Sequence, residues 1–359
     1  MLTASLNVAL VFNLKKNAPA LPGSPADAWD DLDSERTIEG LTRALESGGH
    51  RVTPLEFDDR LYLELLERRD EIDLVFNIAE GHFGPSREAQ VPAMLDQLHI
   101  PYTGSGVLAL ALTLDKPMTK RVLAFHGLPT PNFQVFHTPD DPLDPTLSFP
   151  LFVKPSREGT GTGITGQSIV WDERALRTRV GYVIASYRQP ALVEQFIDGR
   201  EVTVGLVGNV RAGADRARPF HLFPPLEVDF AAYPPEEAGV YTNRLKVELA
   251  EDCHVVVPAP LESALWDELR RLTVATFCAT ECRDVARVDF RLDARAGNQP
   301  YILEINPLPG LSPGLSDLCL MAEADGMRYE DLILRIVDEA LDRQRTIAVP
   351  RFGREAAPT

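Results

Sequence analysis

The chain predicts an α/β protein that opens with a doubly wound parallel sheet and continues as α+β. Three observations carry that prediction. Strand and helix patterns alternate at the N-terminus, later strands come as neighbours in sequence, and 359 residues exceed what one hydrophobic core usually supports.

The first strand is "LNVALVF" (6–12), an apolar run that ends in a polar, Pro-rich loop. "DSERTIEGLTRALESGGH" (33–50) carries apolar residues at helical spacing, with Asp33 or Ser34 as cap and Gly48-Gly49 as stop. "RVTPLEF" and "IDLVFNIAE" read as further strands with the helix "LYLELLERRD" between them, which completes β-α-β-α-β. Ligands of such sheets bind beyond the carboxyl ends of the strands, here "VFNLKKN" (11–17) and "FNIAEGHFGPSRE" (76–88).

A boundary is expected near "PYTGSG" (101–106), before the helical stretch 107–127. A strand and glycine loop follow in "FPLFVKPSREGTGTGI" (149–164), and "PALVEQFIDGREVTVGLVG" (190–208) reads as two strands around an Asp-Gly turn. Residues 215–257 are Pro-rich and carry no clear pattern. "LESALWDELRRLTVATFCATE" is a helix, "DVARVDFRLDARAGNQPYILEIN" two strands joined at Gly297 and Asn298, and a last helix spans about 328–343.

Composition narrows the function classes. With 44% hydrophobic and 25% charged residues the chain is that of a soluble globular protein. A net charge of -17 argues against nucleic acid or an anionic membrane as partner. The start does not read as a signal peptide, and Cys253, Cys278, Cys282 and Cys319 form no CxxC pair. Free thiols in a reducing cytoplasm are the expectation.

The motif richest in chemistry is "YILEINPLPG" (301–310) with its neighbour "ARVDFRLD". Strand alternation puts Arg287 and Asp289 on one face, with Val288, Phe290 and Leu292 on the other. Glu304 and Asn306 share one face while Leu303 and Ile305 pack behind. If the strands form a hairpin, two carboxylates, an amide and an arginine gather on one side. That is an oxygen-donor set suited to Mg²⁺ carrying a phosphate anion. The alternative is a solvated sheet face with ordinary charge pairs.

Lys154 ends a strand ahead of "SREGTGTG", a loop whose amides and hydroxyls can wrap phosphate oxygens, or a plain Gly/Thr turn. Lysine before glycines excludes both a P-loop and a kinase glycine loop. Lys116 is a second candidate cation, and Glu194 and Glu201 can accept from an adenine amino group and ribose hydroxyls.

These motifs, "IPYTGSGVLALALTLDKPMTK", "VKPSREGTGTG", "VEQFIDGREVTV", "ARVDFRLD" and "LEINPLPGLSP", in this order over roughly residues 70–340, resemble D-alanine-D-alanine ligases of the ATP-grasp superfamily. The resemblance implies an N-terminal doubly wound domain (1–105), central (106–195) and C-terminal (196–345) ATP-grasp subdomains, a tail (346–359), and a homodimer. It implies that Lys116 and Lys154 bind ATP phosphates, Glu194 with the backbone at Phe196 and Ile197 the adenine, and Glu201 the ribose. The loop through Ser156, Thr160, Gly161 and Thr162 closes over the γ-phosphate. Asp289, Glu304 and Asn306 hold two Mg²⁺ ions, while Arg287 and the Gly310 amide stabilise an oxyanion. The activity implied is ATP-dependent amide-bond formation between amino acids through an acylphosphate.

The amino-acid half departs from the family pattern. Where the family has a glutamate after the first strand, "VFNLKKNAPALPG" offers Lys15 and Lys16. Glu80 stands at a histidine position, Arg87 and Glu88 near an acidic pair, and Thr160 replaces a serine. Lys246 approximates a loop lysine, and Ser312, Ser316 or Asp317 a substrate-binding serine. Two other functions stay open: a ligase for a different amino acid, dipeptide or specialised-metabolite carboxylate, to which Lys15, Lys16 and Arg87 would suit a second carboxylate, and a non-catalytic ATP-binding protein.

Overall fold

A computed structural model of the chain describes residues 5–20, 22–210, 220–230, 233, 239–247 and 254–346. Strands β1 (Asn7–Phe12), β2 (Arg51–Glu56) and β3 (Leu74–Asn77) pair in parallel in the order β2-β1-β3. Helices α1 (Glu35–Ser47) and α2 (Leu61–Glu67) form the crossovers, and α3 (Gln90–Leu98) follows β3. Ser34 caps α1, its hydroxyl accepting from the Thr37 N–H, an interaction worth about 1 kcal/mol. At the carboxyl ends, buried Asn13 joins two loops: its Nδ2 donates to the Phe57 carbonyl and its Oδ1 accepts from the Gly81 N–H, both at 2.9 Å.

Helices α4 (Val107–Leu114) and α5 (Lys116–Phe125) lead into an antiparallel sheet of β4 (Phe133–Phe136), β5 (Leu151–Pro155), β6 (Ile169–Val170) and β7 (Ala191–Gln195), ordered β4-β7-β5-β6. Helix α6 (Glu173–Tyr187) covers one face through Leu176, Val180 and Val183. Although α4 and α5 precede this sheet, Ala109 and Leu123 join the core behind the next one, beside Val204, Val288 and Ile302.

That sheet comprises β8 (Gly199–Val207), β9 (His221–Leu222), β10 (Leu226–Val228), β11 (Val255–Val256), β12 (Val285–Asp293) and β13 (Gln299–Asn306). Its helices are α7 (Asn243–Val247), α8 (Ser263–Ala279), α9 (Asp317–Ala324) and α10 (Tyr329–Thr346). Ile333 and Val337 of α10 share a core with Leu41 and Leu45 of α1, which fastens the end of the chain to the N-terminal sheet.

Two expectations are corrected. β7 and β8 do not form a hairpin about Asp198-Gly199; they belong to different sheets, and the chain crosses between them at Phe196–Asp198. Gly199 is required by close approach and not by a turn: a Cβ there would sit 1.8 Å from the Leu292 carbonyl oxygen. The β12–β13 hairpin forms as expected, with Arg287 opposite Asn306 and Asp289 opposite Glu304, but a bulge shifts the next pair to Phe290 and Ile302. The extra residue reverses the alternation. Leu303 therefore faces the same side as Glu304 while Ile302 takes the buried position.

Candidate active site

The two antiparallel sheets enclose a narrow slot that opens into a larger cavity of about 540 Å³. Lys116 and Glu304 line both.

The slot is built on paired charges. Glu194, on β7, lies between two buried lysines, Lys120 and Lys154, each 2.8 Å from one of its oxygens. Burial alone would raise its pKa, but the two cations overcome that and hold it below the ordinary glutamate value. Burial pushes Lys120 down, whereas Glu194 and Glu304 hold Lys154 up despite its burial. Lys120 also donates to Thr130 Oγ1 at 2.8 Å. The Glu194 Oε2, although in ionic contact with Lys120, accepts no hydrogen bond of good geometry. Sequence reading missed Lys120; its place four residues after Lys116 on α5, turning it toward the same side, was the available signal. Phe152 and Phe196 stack at 6.4 Å across the slot, and Ile197 adds to its lining.

The glycine loop closes one end. Thr160 (φ +49°) and Gly161 (φ +69°) are both left-handed. That is an outlier for a β-branched threonine and marks a loop held by its surroundings. A Cβ on Gly161 would approach the Asn243 backbone to 3.0 Å, so the loop packs directly against α7. Gly161 and Thr162 line the slot, and Thr160 the larger cavity. Ser156 does neither: its hydroxyl donates to the Pro190 carbonyl at 2.9 Å.

On the strand face, Asp289 accepts from Arg287, Thr203 and Asn306, the last donating from Nδ2 at 3.0 Å. Arg287 reaches Asp317 as well, at 3.1 Å, and the two carboxylates drive its pKa further up in spite of burial. Lys116 sits 3.2 Å from Glu304 and donates to the Glu158 carbonyl. Among the described residues no group of three His, Cys, Asp or Glu side chains is assembled to hold a metal. The donors present are two carboxylates and the Asn306 amide oxygen, an all-oxygen set that fits Mg²⁺ once phosphate oxygens complete the shell.

The larger cavity has an acidic wall of Asp31, Glu80, Glu88 and Glu158. Glu80 and Glu88 stand within electrostatic reach of one another. Burial, then mutual repulsion, raises Glu80 well above the usual range, and burial brings Glu88 up to about 7. Nearby Asp33 is pushed to about 7 by burial. Arg87 lies behind this wall, donating to Asp31 at 2.7 Å and to Glu158 at 3.3 Å. Asp31 escaped sequence reading because it arrives from just before α1, well past the end of β1. Lys15 and Lys16, by contrast, stand outside the cavity and pair with Asp30 and Glu35. Gly310 and Ser316 line the cavity opposite, the Ser316 hydroxyl accepting from the Ser312 N–H at 2.9 Å. Ser312 is not part of the lining. Lys246 falls in α7, but its side chain lies outside the described residues.

Comparison with known proteins places these features in context. The family model described as D-ala D-ala ligase C-terminus matches residues 122–338. Uncharacterized protein y4sG of Sinorhizobium fredii is 39% identical, over 85% of this chain and 87% of that protein. The D-alanine–D-alanine ligase of Carboxydothermus hydrogenoformans is 31% identical over 85% of this chain and 92% of its own length. That of Janthinobacterium sp. is 35% identical, over 83% and 88%. The crystal structure of D-alanine–D-alanine ligase from Bacillus anthracis complexed with ATP superposes with a TM-score of 0.70 at 21% identity, covering 95% of this chain and 99% of that one. Among the described residues no helix is long and apolar enough to cross a membrane.

Proposed function

Because the chain belongs to the D-alanine–D-alanine ligase family and is an ATP-dependent, amide-bond-forming ligase of ATP-grasp fold, we propose that its slot binds ATP and its cavity two amino-acid substrates. The observation that carries this reading is the β12–β13 register. It sets Arg287, Asp289, Glu304 and Asn306 on one face, where slot and cavity meet beside Lys116.

In this reading the adenine packs against Phe152 and Phe196, its amino group donating to Glu194. A 6-oxo purine would set acceptor against acceptor there, which favours adenine over guanine. Glu201 meets the ribose, Lys154 and Lys116 the phosphates, and the loop at Thr160, Gly161 and Thr162 covers the γ-phosphate. Asp289, Glu304 and Asn306 would hold Mg²⁺, which when bound neutralises phosphate charge. The donor carboxylate attacks the γ-phosphoryl group, ADP leaves, and the amine of the acceptor displaces phosphate from the acylphosphate. Arg287 and the Gly310 N–H face the oxygen on which negative charge develops, where fixed donors contribute most. No side-chain nucleophile is needed.

For the donor amino acid, Asp31 with the neighbouring Glu80 and Glu88 supplies oxygen acceptors for an ammonium group, whose positive charge favours release of the protons that burial keeps on the two glutamates. A substrate carrying a second carboxylate is less well served: Arg87 is already neutralised by Asp31 and Glu158, and Lys15 and Lys16 stand outside the cavity. D-Alanine is the substrate we favour. The free thiols Cys278, Cys282 and Cys319 fit a cytoplasmic location, where ATP is available.

The test is Mg²⁺-dependent phosphate release from ATP across a panel of D- and L-amino acids, singly and in pairs, with mass spectrometry of the products. Release with D-alanine and a D-alanyl dipeptide is expected. Turnover with another amino acid and silence with D-alanine would reassign the substrate, and no turnover with any member would overturn the proposal for the cavity.

A further inference from the structure

A buried arginine in the slot has no part in the roles assigned above. β12 alternates Arg287, Asp289 and Arg291 on its ligand side, and Arg291 stands directly opposite Glu201 on β8. Its guanidinium lies 2.9 Å from Glu201 Oε2. It also donates to the Gly199 carbonyl at 3.0 Å and to the Gly239 carbonyl, and stands over the rings of Phe196 (5.7 Å) and Phe230 (5.2 Å). Arg291 is 5% exposed and lines the slot together with Glu201, Val240 and Tyr241.

These contacts join three parts that must agree if a sugar is to be recognised. Gly199 is where the chain enters the second sheet, Gly239 immediately precedes the slot-lining pair Val240 and Tyr241, and Glu201 is the carboxylate between them. A glutamate alone has rotatable bonds that ligand binding would have to freeze. Pairing Oε2 with a stacked, multiply bonded guanidinium fixes the carboxylate beforehand and leaves Oε1, which accepts no hydrogen bond among the described residues, for a hydroxyl.

We propose that Arg291 is a positioning residue for the nucleotide sugar, holding Glu201 in the orientation that accepts from the ribose hydroxyls and fastening the 239–241 segment over the slot. This rests on the reading that Glu201 meets the ribose. The enzyme's preference for ATP over 2′-deoxy-ATP is then a property of the Arg291–Glu201 pair.

The experiment compares KM for ATP and 2′-deoxy-ATP in the wild type, Arg291→Met and Glu201→Gln, with phosphate release as readout. A wild-type ratio of about tenfold is expected, corresponding to one charge-assisted hydrogen bond, falling below about threefold in both variants. A retained ratio in Arg291→Met with a collapsed one in Glu201→Gln would overturn the positioning role and leave the ribose assignment standing. A wild-type ratio near one, or a retained ratio in Glu201→Gln, would overturn the ribose assignment and Arg291's role with it. Should the methionine variant fail to fold, Arg291→Lys asks the same question. It keeps the charge without the planar fork, so an intermediate ratio is expected and an unchanged one counts against the proposal.

Discussion

The slot and the cavity solve opposite electrostatic problems. In the slot, and on the β12 face that runs from it to the cavity, the buried charges meet partners of opposite sign: Lys120 and Lys154 with Glu194, Arg291 with Glu201, Arg287 with Asp289 and Asp317. In the cavity, like charges face one another. Glu80 meets Glu88, with Asp31 and Asp33 nearby, and the carboxyls of Glu80, Glu88 and Asp33 hold protons at pH values where free ones would not. In the proposed function, a slot neutralised in advance loses little on receiving the nucleotide. A wall of raised carboxyls gains its counter-charge from the substrate.

The largest effects should come from breaking the paired side at the reacting centre. Arg287→Ala removes the cation beside the cavity and leaves Asp289 and Asp317 without it, so kcat should fall by about 10³, read as steady-state phosphate release. A smaller fall than tenfold would remove Arg287 from the oxyanion role.

Next comes stability. Glu194→Leu leaves Lys120 and Lys154 buried without their carboxylate, and should cost about 3–5 kcal/mol in denaturant unfolding. Glu80→Gln in the cavity should cost far less, because a protonated acid is replaced by a neutral amide. Equal losses at both positions would erase the contrast.

Glu88→Gln sharpens the comparison through pH. The folded-state pKa is raised from 4.5 to about 7, so the folded state holds a proton the unfolded chain has released. The associated stability is present below about pH 4.5 and lost as pH rises through 7. Wild-type stability should therefore decline relative to Glu88→Gln between pH 5 and 8, and parallel curves would contradict the shift. The same variant should raise KM for the amino acid about tenfold while KM for ATP moves less than twofold. The smallest effect is expected at Lys15→Ala, outside both compartments, where each KM should stay within about twofold.

The two compartments also differed in legibility. The β12–β13 face could be read from the sequence because alternation and hairpin pairing are local rules, and Arg287, Asp289, Glu304 and Asn306 obey them. Leu303 was misplaced because a bulge inserts one residue without a compositional mark. Asp198-Gly199 imitated a hairpin because close backbone approach and tight turns call on the same residue. Lys120 and Arg291 sat in view as residues of the expected helix and strand; only the fold reveals that each faces a glutamate from another element. The cavity was less legible still. Asp31, from the segment before α1, and Glu158, from the glycine loop, meet at Arg87 across a long sequence separation, and no spacing rule spans such a distance.

Asp27 of that same segment accepts from the Gly163 N–H at 2.8 Å and from the Tyr187 hydroxyl at 3.0 Å. The N-terminal part of the chain thus supplies an anchor for the glycine loop of another part. For anyone building chimeras, the N-terminal front is not an interchangeable cassette. Asp27 and Asp31 must be transplanted together with residues 157–163, or a grafted front will arrive with its grip on the glycine loop missing.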